Sequence, residues 1–150
     1  MLGAMNMKNT TEWLKENLVT IYDENPYIKL LDISIIHVEE GKVELCMPVL
    51  AGKHTNLYNI AHGGALASLA DSAMGIACAT TGKKVVTLEM NMNFIKGAAT
   101  QAAIKAIGKV IHNGKNTMVA ESEIVDSQNQ LLAKTRGTFF VTGRFEENKE

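Results

Sequence analysis

Apolar residues recur first at helical spacing. Over residues 10–22, Trp13, Leu14, Leu18 and Ile21 fall on one side, which predicts an amphipathic helix. Asn25-Pro26 predicts its end. The period then shortens to two, giving strands over 31–39 and 42–50 joined by a turn at Glu40-Gly41. Residues 51–61 have no period and predict a loop. Residues 62–81 are nearly continuous in apolar character, with Ala65, Leu66, Leu69, Ala70, Ala73, Met74, Ile76 and Ala77, and Gly82 follows as a C-terminal stop. A helix apolar on all sides is a buried helix. Gly75 inside it predicts close approach by another backbone.

Everything after that helix reads as strand. Over 85–96, Val86, Leu88, Met90, Met92 and Phe94 alternate with Thr87, Glu89, Asn91 and Asn93. Further strands are predicted over 101–112, 116–126 and 131–143. Their turns fall at Asn113-Gly114 and Ser127-Gln128-Asn129. The order implies an α+β domain, with an antiparallel sheet wrapped around one long buried helix. The sheet's second face and its edge stay uncovered, which predicts self-association. We expect a single domain over 10–143, a poorly ordered segment 1–9 and a frayed tail 144–150.

Composition narrows the function classes. At 150 residues, 46% hydrophobic and a net charge of −1, the chain supports one core and offers no basic stripe for nucleic acid. The apolar run is broken by Ser68, Asp71 and Ser72, so no membrane span is expected, and the N-terminus lacks the apolar stretch of a signal peptide. The two cysteines, Cys46 and Cys78, lack metal-ligand spacing and fit a reduced, cytoplasmic protein. Cys46, beside Leu45 and Met47, is expected in the core. His37, His54 and His112 are expected on the surface or in turns, and no metal site is predicted.

The chemistry concentrates in residues 56–71. Asp71 is the one carboxylate in the apolar helix, and a buried carboxylate is costly unless it is hydrogen-bonded or reactive. It serves either as a base or as a structural cap. Gly63 and Gly64 open the helix, where backbone N–H groups suit a developing oxyanion. They serve as donors, as a tight junction, or as both. Gly63 and Asp71 are separated by about 12 Å of helical rise. One carbonyl cannot reach both, so either the helix start is irregular or two chains share a site.

The order of elements, with Asn56, His62-Gly63-Gly64 and Asp71, resembles the hotdog-fold acyl-CoA thioesterases of the PaaI (phenylacetyl-CoA thioesterase) type. The resemblance extends through residues 86–94, Gly114-Lys115-Asn116-Thr117 and residues 132–139, and covers about residues 25–141. Asn59 and Gly97 depart from the family pattern, which usually has Gly and Pro there. The resemblance implies thioester hydrolysis with Asp71 as general base or nucleophile and the Gly63 N–H as oxyanion donor. It implies that Asn56 and Thr87 orient the water or thioester. It gives His62 a turn-shaping role and makes Gly64 a second candidate at the oxyanion turn. For coenzyme A it suggests Phe94, Lys96, His112, Gly114, Lys115, Asn116 and Thr117. Tyr58 is a candidate lining residue for the acyl pocket. It also implies a homodimer that completes the site, assembled further as a homotetramer, and no cofactor beyond the coenzyme A of the substrate. Two alternatives remain: a hotdog hydratase or dehydratase acting on acyl-CoA or acyl-carrier protein, and a non-catalytic acyl-CoA-binding protein.

Overall fold

The computed structural model describes residues 2–145. Helix α1 (Leu2–Asp23) begins at Leu2 rather than at residue 10, in a stretch rich in strong helix formers such as Leu2, Ala4, Met5 and Lys8. Leu14 and Leu18 are buried, as their spacing predicts. Asn25-Pro26 does more than end this helix. The Asn25 side chain accepts the Tyr27 N–H at 3.1 Å and Pro26 fills the first turn, so the pair starts a second, short helix, α2 (Pro26–Leu30). That helix displaces the first strand, which starts at Ser34 rather than at 31.

Six strands follow: β1 (Ser34–Glu39), β2 (Lys42–Pro48), then, after helix α3 (Gly63–Ala79), β3 (Lys83–Phe94), β4 (Ala103–Asn113), β5 (Thr117–Val125) and β6 (Leu131–Arg144). They form one antiparallel sheet in the order β1-β2-β4-β5-β6-β3. The sheet curls around α3, the expected hotdog architecture. Gly41 and Gly82 adopt left-handed φ values of 79° and 90°, as turn and helix stop require. The Gly41 N–H donates to Thr80 Oγ1 at 2.7 Å, tying the β1–β2 turn to the end of α3. Of the expected tail 144–150, residues 146–150 lie outside the described residues.

The core lies between α3 and the sheet. Leu66, Leu69, Ala70, Ala73, Ile76 and Ala77 meet Val43, Leu45, Met47, Ile104, Ala106 and Ile124. Each large side chain so buried contributes about 1.5–3 kcal/mol. The close backbone approach predicted at Gly75 occurs instead at Gly108 of β4, where an added Cβ would stand 2.3 Å from the Ala73 carbonyl oxygen. At Gly75 it would meet only the Phe139 ring, at 3.8 Å. Cys46 is not in the core. Period two places Leu45 and Met47 inward and leaves Cys46 half-buried on the outer face. Cys78 is buried, and desolvation pushes its thiol up to about 12.

Candidate active site

Helix α3 is not apolar on every side. Gly63, Ala67, Ser68, Asp71, Ser72 and Gly75 are only half-buried, and together they form an open stripe. Small residues hide this stripe from a hydropathy reading. Asp71 sits on it, in a cleft of about 220 Å³ lined by Tyr22, Asn25, Tyr27, Val85, Thr87 and Phe139 among others. Thr87 Oγ1 donates to Asp71 Oδ1 at 2.7 Å. That fixes the carboxylate and leaves Oδ2 for another donor. Burial also pushes the Tyr22 hydroxyl up to about 12.

Thr87 reaches Asp71 because β3 is bulged. Thr87 pairs with Phe139 and Glu89 with Thr138, so Leu88 is an extra residue. Cross-strand partners share a face. Thr87 and buried Phe139 therefore face α3, while Glu89 faces outward, where it accepts from Thr138 Oγ1 at 3.1 Å. Strict alternation placed Thr87 with Glu89 and Asn91, and Val86 with Met90; the bulge separates both pairs. Val86 and Leu88 are exposed, Val86 at the rim of the Asp71 cleft, and Met90 and Met92 are half-buried.

The Gly63 end is built by turn chemistry. His62 has extended backbone (φ −61°, ψ 136°) and is the N-cap of α3, its Nδ1 accepting the Gly64 N–H at 2.8 Å. The Gly63 N–H has no acceptor among the described residues. Asn56 Oδ1 accepts the Tyr58 and Ile60 N–H groups at 2.9 and 3.2 Å, and Asn59 takes a left-handed φ of 63° between them. Asn56 thus shapes the loop and keeps its amide NH₂ for another partner. Tyr58 lies at the loop tip, 80% exposed. The Phe94 ring packs beside Gly63, 3.4 Å from where a Cβ would be.

Helix α3 runs without interruption from Gly63 to Ala79, so the helix start is regular. The candidate residues divide between two levels of the sheet. Asp71 and Thr87 lie level with Phe139, Met118 and Asn113, beside the turn that carries Gly114, Lys115, Asn116 and Thr117. Phe94 lies level with Ala133, Ile124 and Ala106, near Gly63. Along β3 the two levels are about 20–25 Å apart. Lys96 follows Phe94 and contacts Gln130. One chain therefore does not bring Lys96 and Lys115 together.

Sequence reasoning missed several residues that shape the site. Tyr27 OH lies 2.7 Å from Ser68 Oγ, and Ser68 Oγ donates to the Gly64 carbonyl at 2.8 Å. The serine proton is thus committed, so Tyr27 donates to Ser68. Lys83 Nζ donates to Asn113 Oδ1 at 2.6 Å and to the Gly114 carbonyl at 2.7 Å, bracing the β4–β5 turn. His54, expected in a turn or on the surface, is fully buried. Its two neighbours in the loop, Lys53 and Thr55, are polar, and nothing in that pattern signals burial. His37 and His112 are exposed as expected.

Among the described residues, no group of three His, Cys, Asp or Glu side chains is placed to hold a metal ion, and no helix is long and apolar enough to cross a membrane. The thioesterase superfamily model matches residues 58–133. The acyl-coenzyme A thioesterase PaaI of Escherichia coli is 34% identical over 122 residues, covering 81% of this chain and 86% of that protein. The 1,4-dihydroxy-2-naphthoyl-CoA hydrolase of Escherichia coli is 30% identical over 118 residues, 77% and 85% of the two chains. The solved structure of E. coli PaaI superposes with a TM-score of 0.83 at 31% identity, covering 92% of this chain and 97% of that one. A Streptococcus mutans protein bound to acetyl CoA superposes with a TM-score of 0.73 at 30% identity, covering 76% and 91%.

Proposed function

We propose that this chain, which belongs to the thioesterase superfamily, hydrolyses acyl-CoA to a carboxylic acid and free coenzyme A at a site shared by two copies of itself. The observation that carries the reading is the Thr87–Asp71 hydrogen bond inside the cleft, which holds a carboxylate with one oxygen available. Relatives named as acyl-CoA hydrolases and a structural neighbour holding acetyl CoA support the substrate class.

In this reading Asp71 takes the proton of a water that attacks the thioester carbonyl. The Gly63 N–H receives the oxyanion. Collapse breaks the C–S bond, and the proton returns from Asp71 to the departing sulfur. Alternatively Asp71 attacks directly, and water then cleaves the resulting anhydride. Single turnover in ¹⁸O-water tests the second route: label in Asp71 indicates a nucleophile whose anhydride opens at the Asp71 carbonyl. Trapping of the acyl-Asp71 anhydride with hydroxylamine distinguishes opening at the acyl carbonyl from general-base attack, both of which label the acid. The step uses no cofactor, since coenzyme A enters as part of the substrate.

Two chains are needed because Gly63 and Asp71 stand about 12 Å apart on one continuous helix. The coenzyme A candidates support the same partition. Asn56, Gly63, Phe94 and Lys96 fall at one level, Asp71, Thr87 and the 112–117 turn at the other. A two-fold dimer with antiparallel α3 helices would bring unlike levels together twice. The exposed edge of β3, with Val86 and Leu88, offers a surface for that pairing. A homotetramer, as a dimer of such dimers, and a cytoplasmic setting complete the proposal.

The test is thiol release from acyl-CoA by mixed dimers. One chain carries Gly63→Pro, which deletes the N–H at a position where proline suits a helix and where extended His62 tolerates it. The other carries Asp71→Asn. Each homodimer should be inactive, and the heterodimer should recover one intact site. No recovery in a verified heterodimer would refute the shared site. Release of no thiol from any acyl-CoA by the wild-type protein would refute hydrolysis and favour a binding role.

A further inference from the structure

The loop carrying Asn56 and His62 is anchored by one buried side chain. His54 is fully buried, and both ring nitrogens are engaged. Nδ1 accepts the Leu50 N–H at 3.0 Å, and Nε2 lies 2.7 Å from the Leu31 carbonyl oxygen. A carbonyl only accepts, so Nε2 carries the proton and donates. Leu31 caps the end of α2, so the ring ties the start of the loop to the helix beside the Asp71 cleft. The Lys53–Asp32 ion pair, at 2.7 Å, crosses the same junction.

The His54 backbone carries this anchor to the other end of the loop. Its N–H donates to the Leu50 carbonyl at 2.9 Å, and its carbonyl accepts the His62 N–H at 2.6 Å. Thr55 and Ala61 bridge directly beside that bond. His62 is then held from both sides, by His54 at its N–H and by the Gly64 N–H at its ring. The next peptide along is the one whose N–H belongs to Gly63. The direction of that N–H follows from the orientation of His62, and the orientation of His62 follows from His54.

We propose that His54 is a positioning residue for the oxyanion donor, aiming the Gly63 N–H by locking both ends of the 50–62 loop to the end of α2. The inference rests on the reading of Gly63 above. A side chain that only filled space would need neither ring nitrogen, and a surface turn would need no tie to Leu31. Small misplacements of a reacting group can cost about 10²-fold in rate, so the effect belongs in kcat.

Two volume-matched variants separate aim from packing. His54→Met fills the site without hydrogen bonds. His54→Gln offers an acceptor to Leu50 and a donor to Leu31. We expect kcat for acyl-CoA hydrolysis to fall by about tenfold or more in His54→Met with KM within twofold, the pattern of an interaction made in the transition state. His54→Gln should retain kcat within about threefold of wild type, in line with the restored hydrogen bonds. Each is assayed well below its own Tm. If His54→Met does not fold, His54→Asn, whose shorter amide reaches one partner only, is read in its place against the same expectation. Wild-type kcat in the folded Met or Asn variant would overturn the proposal. So would equal losses in the Gln variant and in that partner-deficient variant. Gly63→Pro keeps the two ideas apart: if it is active, the oxyanion reading fails, whereas an inactive Gly63→Pro beside a fully active His54→Met removes only the role of His54.

Discussion

The two levels of the sheet that carry the candidate chemistry are made in opposite ways. At the Gly63 level the candidate group is a backbone N–H at the capped start of α3, with the Phe94 ring packed beside it. At the Asp71 level it is a side chain, sheltered in a cleft and fixed by a threonine that a β-bulge turns inward. In the proposed reading the first supplies an electrophilic cradle without a base, the second a base without a cradle. On that reading each half does little alone, and the separation along α3 is what calls for the proposed second chain.

That contrast can be broken at either level. Asp71→Asn should lower kcat at least 100-fold with Tm unchanged, since a positioned base typically contributes about 10²–10⁴-fold; near wild-type turnover would remove Asp71 from the mechanism. Gly63→Pro should cost about 10²-fold in kcat, the usual loss for one oxyanion donor, with KM nearly constant. Circular dichroism would check that α3 survives. Thr87→Val leaves Asp71 in place and deletes one hydrogen bond to it. We expect about a tenfold loss in kcat, consistent with a charge-assisted bond of about 1.5–3 kcal/mol only partly felt in the barrier.

The smallest effects sharpen the partition. Lys96→Ala and Lys115→Ala, one from each level, should each raise KM for acyl-CoA a few-fold with little change in kcat, about the size of an exposed charge contact. A truncated acyl-thioester without the nucleotide should show neither change. Equal responses by both substrates would mean that these lysines do not read the phosphates.

The fold was legible because its signals are periodic. The alternation of Val43, Leu45 and Met47, the run from Ala65 to Ala77 and the turns at Gly41 and Gly82 each state one local preference, and the structure agrees with them. The site was legible only where it is written as a motif. His62-Gly63-Gly64 marks the cap directly. The facing of Thr87 was not legible, because a bulge depends on strand pairing and not on residue type. The role of His54 was hidden for a related reason: its partners are backbone groups of Leu31 and Leu50, which no side-chain pattern reports. The Asn25-Pro26 pair was a readable start signal, but a stop for one helix and a cap for the next use the same residues.

One feature of the sheet order bears on how the chain is made. Strand β3 has a single neighbour, β6, and its first residue, Lys83, pairs with Arg144 at the far end of the sequence. As the polypeptide leaves the ribosome, β3 waits for about sixty more residues, several seconds of synthesis at about 5–20 residues per second. Its exposed Val86 and Leu88 are unpaired throughout that interval. Lys83, Lys84 and Glu89 interrupt the strand's apolar run with charge, and such interruptions discourage premature pairing with other nascent chains. Even after β6 arrives, the outer edge of β3 has no partner strand among the described residues, so an exposure that begins on the ribosome persists at that edge in the folded chain.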